Sequence, residues 1–103
     1  MTDFDHAEIS RRLALAIGWP EDRVGGNSWG AVFIKPEKGH IGRFFDYRDP
    51  LIAWSVAERF NCFPSQASSG TEWVAYTAGA KTTWADTAAI AVAMAVIKAK
   101  EAK

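Results

Sequence analysis

The chain has 103 residues, 49% of them hydrophobic, and twelve Lys and Arg balance twelve Asp and Glu. That length makes one domain, residues 1–103, and five Trp with six Phe supply a core, which excludes disorder as the overall state. A formal net charge of zero disfavours a nucleic-acid partner, because such binding draws much of its affinity from excess positive charge. No Lys/Arg cluster appears along the chain; the densest basic stretch, Lys98, Lys100 and Lys103, reads as a solvated helix end.

Elements follow in chain order. Asp5 reads as an N-cap with Glu8 completing a capping box, and Phe4 and Ile9 stand at hydrophobic-staple spacing. Ile9, Leu13, Ala16 and Ile17 share one face, and Gly18 before Trp19-Pro20 ends the element, so a helix is expected over about 5–17. "EDRVGGNSWG" reads as a turn-rich loop and "WGAVFIK" (29–35) as a strand. "PEKG" turns the chain into a returning strand, "HIGRFF" (40–45), which predicts an antiparallel hairpin.

Asp49-Pro50 combines an N-cap with proline at N1 and opens a helix over about 50–60. Ile52, Val56 and Phe60 line its apolar face, which Leu51, Trp54 and Ala57 widen. A second hairpin is expected from a weak strand near 62–67 to "TEWVAYT" (71–77), turning at Ser69-Gly70. Pro64 places the first of these strands at a sheet edge. Thr83 with Asp86 suggests a capping box for an Ala-rich helix from 83 or 86 to 100, which should be the most buried. The order α-ββ-α-ββ-α indicates an α+β domain with an antiparallel sheet of three to four strands sandwiched by helices.

Candidate chemistry is sparse. Asp46, Tyr47 and Arg48 offer an acid, a hydroxyl and a guanidinium, yet consecutive loop side chains diverge rather than converge on one substrate atom. The bland reading has Asp46 ending the strand, Arg48 pairing with Asp46 or Asp49, and the Tyr47 hydroxyl facing outward. A partner-binding loop is favoured over a catalytic one, because Tyr and Arg are frequent interface hot spots.

His6 and His40 lack companions at ligand spacing, so no metal site is expected and both read as surface residues. Cys62, the only cysteine, excludes an intrachain disulfide, implies a reducing cytoplasm, and sits in an apolar context that suits an inert buried thiol. "GGNSWG" leads into a strand rather than a helix N-terminus, which argues against a phosphate loop. Trp19, Trp54 and Trp84 read as core; Trp29 and Trp73 lie on expected strands, where an open sheet face could use them. The N-terminus lacks a secretion-signal pattern, and the longest apolar run, 88–97, is too short to span a membrane.

Gly18-Trp19, Ala53-Trp54 with Val56 and Glu58, Trp73, and Ala85-Asp86-Thr87 with Ala89-Ile90 occur in this order over residues 9–100. In these motifs the chain resembles the phage ABA-sandwich domain family, small phage and prophage proteins of NinX-like type. Tyr47-Arg48-Asp49-Pro50 departs from the family's usual loop before the second helix. The resemblance implies phage origin and no catalytic motif or cofactor. The expected function is therefore a non-enzymatic accessory protein that binds a host bacterial protein in the host cytoplasm, in host takeover or as an anti-CRISPR-type inhibitor. The alternative is a small-ligand or nucleotide-binding domain. Candidate partner contacts are Arg43, Asp46, Tyr47, Arg48, Trp73 and Tyr76, and a homodimer face stays open.

Overall fold

The computed structural model describes residues 3–36, 42–68, 70, 72–75 and 83–101. The fold class is α+β, with element order α-βββ-α-βββ-α and one short 3-10 turn at Glu21–Arg23. The elements group into two units, Met1–Tyr47 and Arg48–Lys103. Each contains a three-stranded antiparallel sheet whose strands are neighbours in sequence order.

In the first unit, helix α1 spans Asp3–Ala16. It starts two residues earlier than the capping pattern suggests, so Asp5 lies inside the helix and is not its N-cap. The Phe4 side chain lies outside the described residues. Gly18, at φ 111°, closes the helix as expected. Its N–H donates to the Leu15 carbonyl and the Trp19 N–H to the Ala14 carbonyl, the paired bonds of a Schellman motif. The buried face of α1 runs through Ala7, Ile9, Ser10, Leu13 and Ala14, whereas Ala16 and Ile17 are only half-buried.

Strands β1 (Val24–Ser28), β2 (Ala31–Ile34) and β3 (Arg43–Phe45) form a meander. The expected β2–β3 hairpin is present, although residues 37–41 between its strands, His40 included, lie outside the described residues. The glycine-rich "loop" is a strand instead. Gly26 forms a bulge between Gly25 and Asn27, and a two-residue turn at Trp29-Gly30 joins Ser28 to Ala31. Trp29 has φ 49° and Gly30 φ 87°, the two positive values that a type I′ hairpin turn requires.

Register sorts the sheet's two faces. Val24, Val32, Ile34 and Phe45 share the buried face, opposite one another across the strands. Gly25, Phe33 and Phe44 share the other.

In the second unit, α2 spans Pro50–Phe60 as the cap chemistry predicts. The Asp49 carboxylate accepts from the Leu51 N–H at 3.0 Å, and Asn61 ends the helix in the left-handed region at φ 50°. The Cys62 N–H then donates to the Ala57 carbonyl at 2.9 Å. Strands β4 (Ser65–Gln66), β5 (Trp73–Ala75) and β6 (Thr83–Ala85) form the second sheet, with β4 at an edge immediately after Pro64.

Residues 83–85 are strand, not helix, so the Thr83–Asp86 capping box does not form. Helix α3 (Ala88–Glu101) starts later, where the Thr87 hydroxyl accepts from the Ile90 N–H at 3.2 Å. Six of its residues, among them Ala91, Ala95 and Val96, are buried, more than in either other helix among the described residues. Small side chains on several faces let this helix pack against both α2 and the β5–β6 strands.

Candidate functional site

The residues singled out from the sequence do not form one site. Tyr47 is 1% exposed, which removes it as a partner contact and overturns the outward hydroxyl. Its hydroxyl shares a hydrogen bond with His6 Nδ1 at 2.5 Å. Its backbone N–H donates to Ser10 Oγ at 3.1 Å, and Ser10 Oγ donates to the Gly30 carbonyl at 3.0 Å. Ser10 is fully buried, so one hydroxyl ties α1 to the β1–β2 turn and to the chain leaving β3. His6 is half-buried and partnered rather than a plain surface residue.

Arg48 is exposed in the turn before α2, and Asp46 is half-buried. Arg43 is exposed, with its guanidinium carbon 5.8 Å from the centre of the Trp19 ring. Trp73 is half-buried on the central strand β5, opposite Gln66 and Ala85. Tyr76 lies outside the described residues. Cys62 is buried and free, and desolvation raises its thiol pKa, as suits an inert core thiol. Among the described residues no group of three His, Cys, Asp or Glu could hold a metal ion. Among them, too, no helix is long and apolar enough to cross a membrane.

The second unit carries an apolar surface that the sequence reading assigned to the core. Leu51 is 80% exposed and Trp54 59% exposed, and Phe63 beyond the helix end is also exposed. At 3.6 residues per turn, Leu51 and Trp54 project from the side of α2 opposite Val56, which is buried with Ala57. An eleven-residue helix that is apolar around most of its circumference cannot bury every side, and Val56 and Ala57 claim the core face.

Two contacts hold Trp54 in place on the outside. Its indole N–H donates to the Glu58 carboxylate at 2.8 Å, one turn on. Its ring meets Phe63 with centroids 5.6 Å apart and planes at 59°. Leu51, Trp54 and Phe63 thus make a contiguous apolar face with its central rotamer set. The signal was present in the helical wheel, where Leu51 and Trp54 fall a half-turn from Val56.

The first unit gathers charge that lies dispersed along the chain. Arg23 and Arg43 both place guanidinium groups against Trp19, with Arg23 at 5.2 Å. Arg23 also donates through Nε and Nη2 to the Lys35 carbonyl, at 3.1 and 2.9 Å. Arg11 pairs with Glu21 at 3.6 Å nearby in sequence. Only strand pairing reveals this grouping, because Arg23 and Arg43 are far apart in sequence.

Comparisons with protein-family models, with curated proteins and with solved structures find no match to this chain.

Proposed function

We propose that the chain is a small non-enzymatic accessory protein of phage or prophage that binds a host protein through the exposed face of α2. The observation that carries this reading is the Leu51–Trp54–Phe63 face, with Leu51 80% exposed and Trp54 fixed by Glu58 and Phe63. Contiguous exposed apolar groups mark interaction surfaces, and Trp is the residue type most enriched among interface hot spots. Burial of Leu51 and Trp54 on docking supplies about 1.5–3 kcal/mol each. The glutamate and Phe63 hold the indole in place beforehand, which lowers the ordering cost of association. The resemblance to phage ABA-sandwich proteins supplies the biological setting, the cytoplasm of a bacterial host, where takeover of host machinery or inhibition of a defence system fits a binding role.

The test is capture from bacterial lysate with tagged wild-type and Trp54→Ala baits in parallel. One dominant host protein held by wild type and lost from Trp54→Ala supports the reading. Capture that ignores the substitution, or none from several hosts, refutes it.

A further inference from the structure

We draw no further inference here: the strongest candidate, the face of the β1–β3 sheet on which Phe33 and Phe44 meet, carries nothing, because register sets Arg43 on the opposite face and nothing in the structure shows what covers this one.

Discussion

Replacing Ser10 by Ala removes one oxygen and disconnects three pieces of the first unit. Ser10 Oγ donates to the Gly30 carbonyl at 3.0 Å and accepts from the Tyr47 N–H at 3.1 Å, with the serine fully buried. Alanine fits the space and suits a helix, so neither steric strain nor lost helix propensity contributes. The whole effect comes from the two backbone groups, the Gly30 carbonyl and the Tyr47 N–H, that lose their bond to the hydroxyl. Each such loss costs about 1–3 kcal/mol, partly offset because alanine has no hydroxyl to desolvate. A net loss of about 2–4 kcal/mol follows, a large share of the roughly 5–15 kcal/mol that holds a domain folded.

Urea unfolding followed by circular dichroism should show a lower midpoint with an unchanged slope. The melting temperature should fall by roughly 8–32 °C, at about 4–8 °C per kcal/mol. Tyr47→Phe is the internal comparison. It removes only the hydroxyl bonded to His6 and should cost about 1 kcal/mol. A Ser10→Ala loss within about 0.5 kcal/mol, or one no larger than that of Tyr47→Phe, would refute the claim that this hydroxyl ties the unit together.

Trp29 occupies a left-handed turn position at φ 49° while 84% exposed, so Trp29→Asn should raise the urea midpoint by about 0.5–1 kcal/mol equivalent. A drop would show that the indole supports the fold. Asp49→Ala removes the acceptor for the Leu51 N–H and should cost about 1 kcal/mol by the same measurement. Cys62 should resist a disulfide-exchange reagent at pH 8 in the native protein and react once denatured. Its folded pKa is raised, so the native state keeps the thiol proton longer than the unfolded chain. Stability from this group is therefore complete below the unfolded thiol pKa, about 8.5, and declines as pH rises from there through the folded value. A stability that grows over that alkaline range would contradict the burial assignment.

The elements read most accurately from sequence are those governed by neighbouring residues. Asp49-Pro50 opens α2, Asn61 closes it and Gly18 closes α1, because capping and left-handed backbone are settled within a few residues. The α+β class and the β2–β3 hairpin follow from the same local patterns. Errors arise where pairing competes with local preference. "VGGNS" carries the composition of a loop, yet it forms β1 because β2 supplies backbone partners and Gly26 is accommodated as a bulge. Residues 83–85 carry a helix-start pattern, yet pairing with β5 draws them into β6.

Side-chain roles divide along the same line. "FFDYRDPL" specifies a joint between a strand and a helix, and that much is local chemistry. Burial of Tyr47 against His6 and Ser10 depends on residues 41 and 37 positions away, beyond any spacing rule. Exposure of Trp54 follows from which side of α2 meets the core, and the gathering of Arg23, Lys35 and Arg43 follows from strand register. Sequence by itself determined both ends of α2, the close of α1 and the fold class, since these energies act within one or two turns of chain. Only the tertiary structure decided which aromatic side chains face outward and which charges meet, because burial and charge proximity depend on what lies opposite in space.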